Sequence, residues 1–279
     1  TVVSPVSLVV SAAAPVYDIR NNLLPMFAES VRDSSLLLID LGHGKDRLGG
    51  SVYSQVTQRF DSVTPDMEDP KELKKFLELI RSLSAKGAIL AYHDRSDGGL
   101  AAALCEMMFA SHVGVEIVAD ALVSKDRTLN QALFNEELGA VIQVARGRAA
   151  EVERDFEAAG MGWSLKYLGN LTQDDHLNIY LEGKCVLSED RVDLQKAWNE
   201  VSWQIARMRD NPECADSEYE LISDKHNGGL VLTMGFDPEE NLAAPFINTG
   251  VRPKVAILRE QGVNSQNEMA SAFLQAGFD

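Results

Sequence analysis

The amino-acid sequence predicts a mixed fold in which helices cover a β-sheet. Short, continuous apolar runs have the length and composition of buried strands, and LLLIDL (36–41) is the clearest of them. At 279 residues and 45% hydrophobic composition, the chain can bury the core that such layers need. The stretch KELKKFLELIRSLSAKG places five apolar residues on one helical face, and these are Leu73, Phe76, Leu77, Ile80 and Leu83.

The first part of the chain alternates predicted strands with predicted helices. The strand over 36–41 leads through the turn-rich GHGKDRLGGS to a helix over about 51–59, and the amphipathic helix described above ends at Gly87. AILAY (88–92) is the next strand, and it leads into HDRSDGG before a helix that begins at about Gly98. The elements predicted beyond it are strands over 113–118, 140–145, 163–167 and 177–181, a helix over NQALFNEE (130–137), and a helix over 148–159.

The second part is dominated by one long helix. It runs from about Asp190 to Arg209 and ends at Asn211-Pro212, and a stretch of little periodicity, 213–251, follows as a connector. KVAIL (254–258) is then predicted as a buried strand, with a helix over 264–276. We interpret the apolar stripe of the long helix as core packing, and its members are Val192, Trp198, Val201, Ile205 and Met208.

Both ends of the sequence favour a longer polypeptide. Thr1 is not an initiator methionine, and it opens directly on a strand-like run, Val2–Val10. The single strand-and-helix unit at the other end normally needs a following parallel strand, which its helix reaches. We therefore expect this chain to be an internal part of a larger protein, with the remaining domains of that protein as its partners.

Composition argues against several classes of partner. The 42 acidic and 26 basic residues give a formal charge of −16, which repels nucleic acid backbones. No apolar run has the length of a membrane span, so we expect no membrane contact. Three scattered cysteines, Cys105, Cys185 and Cys214, fit neither a disulfide framework nor a zinc site. Free thiols suit a reducing compartment, and we expect a cytoplasmic protein.

The loop HDRSDGGL (93–100) carries the residues best suited to bind a nucleotide phosphate. Asp94 lies at the carboxyl end of a strand, where it offers the hard oxygen ligand that Mg²⁺ prefers. Ser96 can donate its hydroxyl to a phosphate oxygen. Gly98 and Gly99 let an anion approach the first N–H groups of the following helix, at the positive end of its dipole. The loop therefore predicts part of a magnesium–nucleotide site.

Structural roles for the same residues stay open. Ser96 or Asp97 is a good N-cap, and glycines after a strand often mark only a tight turn. His93 has the chemistry of an acid or base, but a histidine beside a strand end is more often a structural hydrogen-bonding residue.

Two further motifs carry less weight. GHGK (42–45) looks like a phosphate loop, but Asp46 follows the lysine where a Walker motif needs Ser or Thr, so we reject it. Glu136 and Glu137 lie near a predicted helix end, and we interpret both as solvated charge rather than as site residues.

Six groups of residues together resemble one family. In chain order they are SPVSLVVSA, LLLIDLG with LGGS, HDRSDGGLAAALCEM, LFNEELGAVIQV, RDNPECAD and RPKVAILREQGVNSQNEMA. They are similar to successive segments of the large single-chain formylglycinamide ribonucleotide amidotransferases, and the match spans nearly the whole chain. HDRSDGGL followed by REQGVNS later in the chain is more specific than either string alone.

The resemblance implies an α+β architecture with helices packed on a sheet, as in the aminoimidazole ribonucleotide synthetase superfamily. It assigns 36–185 to the C-terminal type of domain in that superfamily, in its second copy, and 252–279 to the start of a flavodoxin-like class I glutaminase domain. Residues 1–35 then belong to the tail of a preceding domain and its link, 186–212 to the long helix, and 213–251 to the connector.

The resemblance also implies a function. The family's members are ATP-dependent ligases of purine biosynthesis that convert formylglycinamide ribonucleotide and glutamine to formylglycinamidine ribonucleotide and glutamate. Asp94 matches a Mg²⁺ ligand of the family and Ser96 a nucleotide contact, with ATP or ADP and Mg²⁺ as cofactors. The family's catalytic residues have no counterpart in this chain, so we expect it to be inactive alone.

Two alternatives stay open beside this function. The nucleotide site either turns over or holds a structural ADP, and in the second case this region is a non-catalytic scaffold. The chain is alternatively part of a selenophosphate, thiamine-phosphate or hydrogenase-maturation synthetase of the same superfamily. The glutaminase-like start at Arg252 argues against those relatives.

Overall fold

Seven strands form one mixed sheet in this computed structural model, which describes residues 9–279 apart from 17, 20, 21, 61, 62, 226, 228 and 242. The strands are β1 (Ser34–Asp40), β2 (Ile89–Asp94), β3 (Gly114–Val118), β4 (Gly139–Ala145), β5 (Leu165–Thr172), β6 (His176–Leu181) and β7 (Lys184–Asp190). Their order in the sheet is β2-β4-β1-β5-β3-β6-β7. Neighbouring strands are antiparallel except β3 and β6, which run parallel.

Helices connect most of these strands, and local side-chain hydrogen bonds fix where several of them begin. The helices are α1 (Val52–Thr57), α2 (Pro70–Ala85), α3 (Gly99–Ser111), α4 (Leu129–Phe134), α5 (Ala149–Ala158), α6 (Arg191–Arg209), α7 (Pro212–Glu220), α8 (Ala244–Ile247) and α9 (Gln266–Gln275). Asp69 caps α2 ahead of a proline, which cannot donate a hydrogen bond and suits the first helical position. Thr128 and Gln131 form a reciprocal capping box at α4.

Helices cover both faces of the sheet. Side chains of β1 alternate between the faces, so Leu36 and Leu38 join the cluster that contains α3. Leu37 and Ile39 join the cluster that contains side chains of α2 and α5. All seven residues of β1 are buried, which explains why this strand is a continuous apolar run instead of an alternating one. The layered sheet and helices confirm the predicted α+β class, and β1–β6, α1–α6 and α9 overlap their predicted spans.

A strand and a helix were missed by the sequence analysis. Lys184–Asp190 forms β7, although 186–212 was assigned to the long helix. Its mostly polar residues show no buried stripe, because this edge strand is held by pairing with β6 across a two-residue turn with positive φ at both positions, Glu182-Gly183. Most of α7 lies within the segment 213–251, which was predicted as a connector, and Asn211 is the N-cap of this helix. The Asn-Pro pair therefore ends α6 and also starts the next helix.

The apolar stripe of α6 does not pack in the core. Trp198 is 61% exposed and Met208 is 81% exposed, so the interpretation of this stripe as core packing is wrong. The helix packs through other positions: Leu194 contacts the sheet cluster, and the ring of Trp203 stacks on Tyr219 of α7 with centroids 4.2 Å apart. Helical periodicity shows that a face is apolar, but it does not show what covers that face.

The chain divides into two compact units after Lys225. In the C-terminal unit α9 confirms the predicted helix, but KVAIL (254–258) is irregular, so the prediction of a buried strand there is wrong. The Val255 N–H donates to Asp279 O and the Asp279 N–H donates to Pro253 O, both at 2.9 Å. Within the described residues no strand pairs with the rest of this run, and a strand needs such a neighbour for its N–H and C=O groups.

Two expectations concern the first residues and the membrane. Of the strand predicted over Val2–Val10, only Val9 and Val10 belong to the described residues, and both are exposed and irregular. In the part of the chain that the structure describes, no helix combines the length and apolar character required to cross a bilayer.

Candidate functional site

The segment Asp94–Gly99, here called the DRSDGG loop, joins the end of β2 to the start of α3. Gly98 and Gly99 have φ values of 80° and 69°, in the left-handed region that favours glycine. A Cβ atom at Gly99 would lie 2.6 Å from Asn135 O and 2.7 Å from Leu133 O. The loop therefore packs directly on the backbone at the end of α4, which only glycine allows.

The two residues proposed from the sequence to contact Mg²⁺ and nucleotide, Asp94 and Ser96, are both exposed. Asp94 forms no salt bridge among the described residues, and its Oδ1 accepts a hydrogen bond from the Tyr92 hydroxyl. Burial raises the pKa of Tyr92, and the Asp94 carboxylate raises it further, so Tyr92 stays a neutral donor. Neither Ser96 nor Asp97 caps α3, because the N-cap is Gly98 and no side chain bonds to it as a cap.

His93 makes structural contacts through both ring nitrogens. Its Nε2 lies 2.9 Å from the Glu106 carboxylate on α3, and its Nδ1 lies 2.7 Å from the backbone oxygen of Asp94. The ring thus ties β2 to α3, which agrees with the structural role considered for it.

The first amide of the predicted phosphate cradle is already engaged by the protein. The Gly98 N–H donates to Oε1 of Glu136 at 2.9 Å, and the Val52 N–H at the start of α1 donates to the same oxygen at 2.9 Å. One carboxylate oxygen therefore links the DRSDGG loop to the residue after the LGGS motif. The interpretation of Glu136 as a solvated charge is wrong, because α4 ends at Phe134 and the partly buried Glu136 carboxylate bonds to two backbone N–H groups instead.

Glu137 is also not a solvated charge. Its side chain is fully buried, and the Arg47 guanidinium donates to both carboxylate oxygens at 2.7 Å. Arg47 in turn pairs with Glu68 at 2.9 Å. A buried carboxylate requires such a bidentate partner, since an unpaired one would lose its hydration without compensation.

Beneath the DRSDGG loop lies a buried group of polar side chains, here called the polar cluster, at the carboxyl end of β1. Its centre is Asp40, which accepts from Arg95 Nη2 at 2.7 Å and from Lys166 Nζ at 3.2 Å. Asp46 accepts from Arg127 Nη2 at 2.6 Å and from Asn135 Nδ2 at 3.0 Å. The members of the polar cluster are Asp40, Asp46, Arg95, Arg127, Asn135 and Glu137.

The two aspartates of the polar cluster have opposite pKa shifts. Burial by itself raises the pKa of Asp40, but the charge and hydrogen bond of Arg95, with Lys166 and the Gly42 N–H, outweigh burial and lower it. Burial raises the pKa of Asp46, and Arg127 only partly offsets that effect. Asp40 is therefore ionised at neutral pH, and its carboxylate accepts the hydrogen bond from Arg95.

The structure supports the rejection of GHGK as a phosphate loop. Lys45 Nζ lies 2.6 Å from the Glu68 carboxylate, and Asp46, with φ of 45°, turns its carboxylate into the polar cluster. The His43 ring stacks on Trp163 with centroids 4.0 Å apart. The side chains of this turn thus make contacts within the protein.

The donor set fits a single-carboxylate contribution to a magnesium site. Among the described residues, no three His, Cys, Asp or Glu side chains gather in an arrangement that could hold a metal ion. Mg²⁺ in nucleotide sites commonly takes one or two carboxylates and completes its shell with phosphate oxygens and waters. Asp94, exposed beside the exposed Ser96, fits that pattern.

Sequence reasoning missed two residues that shape this loop, Arg95 and Glu136. Arg95 lies within the motif, but an arginine between Asp and Ser in a polar loop carries no signal of burial. Glu136 lies in the last turn of the helix predicted over 130–137, where a charged residue is usually solvated. Only the tertiary structure shows that Arg95 is buried and that the partly buried Glu136 accepts the Gly98 and Val52 N–H groups.

Two family models match this chain. Residues 34–182 match the family described as AIR synthase related protein, C-terminal domain. Residues 252–279 match the family described as CobB/CobQ-like glutamine amidotransferase domain. The first match covers β1 to β6, including the DRSDGG loop.

Solved structures that match this chain include two from Thermotoga maritima and one hydrogenase maturation protein. PurL complexed with ADP is 12% identical over 94% of this chain and 34% of that chain, with a TM-score of 0.50. Phosphoribosylformylglycinamidine synthase II is 12% identical over 78% of this chain and 30% of that chain, with a TM-score of 0.49. Escherichia coli HypE is 19% identical over 57% and 49%, with a TM-score of 0.38. The chain spans about a third of the PurL chain in the ADP complex, and the likeness to that complex shows the fold alone.

Proposed function

Because this chain belongs to the family of AIR synthase related proteins, through its match to their C-terminal domain, we propose that it forms part of a PurL-type, ATP-dependent ligase of purine biosynthesis. The reaction consumes formylglycinamide ribonucleotide, glutamine, ATP and water, and it yields formylglycinamidine ribonucleotide, glutamate, ADP and phosphate. The observation that carries the proposal is the order of the two family matches, since a glutamine amidotransferase segment follows the synthetase domain on one chain. That order favours this ligase over the other synthetases of the superfamily.

In this proposal the DRSDGG loop supplies one edge of a magnesium–nucleotide site. Asp94 offers a carboxylate oxygen to Mg²⁺, and Ser96 donates its hydroxyl to a phosphate oxygen. Gly98 and Gly99 hold the loop in its left-handed path against α4. In the reaction of the proposed enzyme, the γ-phosphoryl group of ATP would pass to the substrate amide oxygen, and ammonia released from glutamine would then displace phosphate; Mg²⁺ held by Asp94 would offset the charge of the ATP phosphates.

The engaged amide changes how the loop would hold phosphate. The Gly98 N–H, expected from the sequence to face an anion, already donates to Glu136. The contribution of this chain therefore rests on Asp94 and Ser96, while Gly98 shapes the loop without contacting the nucleotide. The remaining ligands and the glutaminase residues would come from other parts of a longer enzyme, so we propose that the 279-residue chain is inactive alone.

Binding of Mn²⁺ with ADP, followed by electron paramagnetic resonance, tests the site, because Mn²⁺ replaces Mg²⁺ and reports its own coordination. Asp94→Asn should weaken Mn²⁺–ADP binding by about tenfold or more, and Ser96→Ala should weaken it less, since it removes one uncharged hydrogen bond. Glu218→Gln, an exposed carboxylate on α7, serves as the control. Unchanged binding in Asp94→Asn, or a loss confined to Asp97→Asn, contradicts the assignment of Asp94.

A turnover assay tests the wider proposal. The chain alone should show neither glutaminase activity nor ATP hydrolysis that depends on formylglycinamide ribonucleotide. A PurL-type enzyme that contains the chain should show both, and Asp94→Asn in that enzyme should lower the ligase rate. Robust turnover by the isolated chain contradicts the proposal that the catalytic residues lie elsewhere.

A further inference from the structure

Arg95 is a buried arginine placed between the two exposed residues of the candidate site. The Arg95 side chain is fully buried, whereas Asp94 and Ser96 on either side of it are exposed. Burial of a guanidinium group in the middle of a polar loop is unfavourable unless every neighbouring group is arranged to receive it. The groups that contact the Arg95 guanidinium therefore indicate what fixes its position.

Those contacts attach Arg95 to two neighbouring strands. Nε donates to Glu137 O at 2.6 Å, and Nη2 donates to Leu138 O at 3.0 Å and to Asp40 at 2.7 Å. The backbone N–H of Arg95 donates to Gly139 O at 2.9 Å. One residue thus makes three bonds to the segment that leads into β4 and one to the end of β1.

The backbone bond keeps Arg95 in the pairing pattern of β2 and β4, so the inward anchoring of its side chain fixes the direction of the neighbouring side chains. Asp94 pairs with Ala140 at the end of the antiparallel β2–β4 ladder, and the bond from Arg95 to Gly139 continues that ladder by one residue. Successive side chains on a paired strand point to opposite faces. With Arg95 fixed inward, Asp94 and Ser96 point outward together.

The far end of the loop is held by the same segment. Glu136, next to Glu137, accepts the Gly98 N–H, so residues 136–139 contact the loop at both its beginning and its end. A Cβ atom at Gly139 would lie 2.2 Å from Ile39 O and 3.4 Å from Arg95 Nη2. Glycine at position 139 therefore lets the start of β4 lie directly against the Ile39 carbonyl of β1, beside the Arg95 guanidinium.

Stability alone does not account for this arrangement. A buried ion pair is often no more stabilising than an apolar replacement of the same shape, although it fixes geometry. Arg95 Nη1 has no hydrogen-bond partner among the described residues, which lowers the net contribution of the side chain further. The four hydrogen bonds of Arg95 instead fix the direction in which its side chain points.

We propose that Arg95 is a positioning residue that sets the orientation of Asp94 and Ser96 for Mg²⁺ and a nucleoside diphosphate. It acts through the backbone of the DRSDGG loop and does not contact the ligand itself. This inference rests on the proposed function of that loop as one edge of a nucleotide site.

Three variants separate positioning from stability. Arg95→Met keeps the length of the side chain and the backbone bond to Gly139 but removes every side-chain donor. Arg95→Lys keeps the charge near Asp40 but not the planar fork that reaches two carbonyl oxygens at once. Arg127→Met is the matched control, because Arg127 is buried in the same polar cluster and bonds to Asp46. It has no bond to the DRSDGG loop or to residues 137–139 among the contacts of the described residues.

Hydrogen exchange is measured on the folded 279-residue chain and Mn²⁺–ADP binding on the PurL-type enzyme that contains it, in each case at temperatures where thermal melting shows equal global stability of the variants. Hydrogen exchange reports whether the Gly98 N–H keeps its bond to Glu136, and Mn²⁺–ADP binding reports the site. Arg95→Met should speed Gly98 exchange and weaken Mn²⁺–ADP binding by about tenfold or more each, as expected for the loss of a charged hydrogen bond. Arg127→Met should change either by less than about twofold.

Equal effects of Arg95→Met and Arg127→Met would show that the cluster acts only through stability, and the inference would be overturned. If Arg95→Met does not fold, Arg95→Lys decides: wild-type Gly98 exchange and Mn²⁺–ADP binding in that variant contradict the inference, and a loss of binding at wild-type melting temperature supports it.

Failure of the proposed function gives a different result. In that case the wild-type chain, and the enzyme that contains it, show no Mn²⁺–ADP contact at Asp94 or Ser96, while the exchange comparison still decides whether Arg95 holds the loop.

Discussion

Two apolar runs of similar composition, LLLIDL (36–41) and KVAIL (254–258), have opposite structures in this protein. The first contains most of β1 (Ser34–Asp40), which pairs with β4 on one side and β5 on the other and is buried over its whole length. The second, here called the C-terminal run, is irregular and mostly exposed, with Val255 bonded to Asp279 at one end. Sequence predicts a buried strand for both.

The difference shows that β structure is a property of pairs of segments. An apolar, β-branched run has the propensity for a strand, but the propensity is small compared with the hydrogen bonds and buried area that neighbouring strands provide. β1 lies between two such neighbours, and the C-terminal run has none among the described residues. Four measurements can sharpen or contradict this comparison.

Amide hydrogen exchange should show the largest contrast. Amides of Leu36–Ile39 open only with the whole sheet, whereas those of Ile257 and Leu258 have no ladder bond to break. We expect the β1 amides to exchange at least about a thousandfold more slowly than the C-terminal amides, because global opening requires about 5 kcal/mol or more. Comparable protection of the two runs would mean that the C-terminal run is a paired strand after all.

Ion pairs in the two regions should differ next most. Glu137→Ala removes three hydrogen bonds of Arg47 to a buried carboxylate and leaves Arg47 only Glu68 and the Asp66 carbonyl as partners, so it should lower the free energy of unfolding by about 3–5 kcal/mol. Arg252→Ala breaks the exposed pair with Asp279 and should lower it by about 0–1 kcal/mol. Urea denaturation measures both changes. A decrease in the free energy of unfolding below about 1 kcal/mol in Glu137→Ala would contradict the view that the buried Glu137 carboxylate stabilises the fold through Arg47.

Truncation of one leucine in each region tests packing. Leu38 is completely buried in the cluster that contains α3, so Leu38→Ala should cost about 2–5 kcal/mol through lost burial and the cavity left behind. Leu258 is 89% exposed, and Leu258→Ala should stay within about 0.5 kcal/mol of the wild type. The same denaturation experiment gives both values, and a large effect at Leu258 would reveal a partner that covers it.

Acid pH should weaken the β1 region through Asp40. The pKa of this carboxyl is lowered in the folded protein, so its contribution to stability is present above the pKa of the unfolded chain and is lost as pH falls. We expect the free energy of unfolding to decline below about pH 4, with a contribution from Asp40 of at most about 1.4 kcal/mol per pH unit. Asp40→Asn should flatten that decline, and a wild-type slope in this variant would assign it to other carboxyls.

The order of elements in the sheet domain was largely accessible from sequence, because buried strands and amphipathic helices carry strong periodic signals. β7 was not, since its residues, KCVLSED, lack an apolar face and the strand forms by pairing with β6. The exposed stripe of α6 was misread for the opposite reason. Its spacing is that of a packed helix, and periodicity does not reveal that Trp198 and Met208 are left uncovered.

At the candidate site, the sequence identified the loop but not its support. Asp94, Ser96 and the two glycines were recognisable because a strand end, a carboxylate and a Gly-Gly helix start are adjacent in the chain. Arg95 and Glu136 were not recognisable in these roles, because their partners, Asp40 and Val52 among them, come from distant parts of the sequence. The assignment of Asp94 and Ser96 to Mg²⁺ and nucleotide stays a prediction.

By itself, the sequence determined that this protein has buried strands, helices that cover them, and a polar Gly-Gly loop between β2 and α3. Those features depend on the properties of residues close together along the chain. Tertiary structure alone decided that Arg95 turns inward, that Glu136 takes the Gly98 amide, and that the C-terminal run lacks ladder partners within the described residues. Burial and hydrogen-bond pairing depend on segments far apart in sequence, and no local pattern encodes which of them meet.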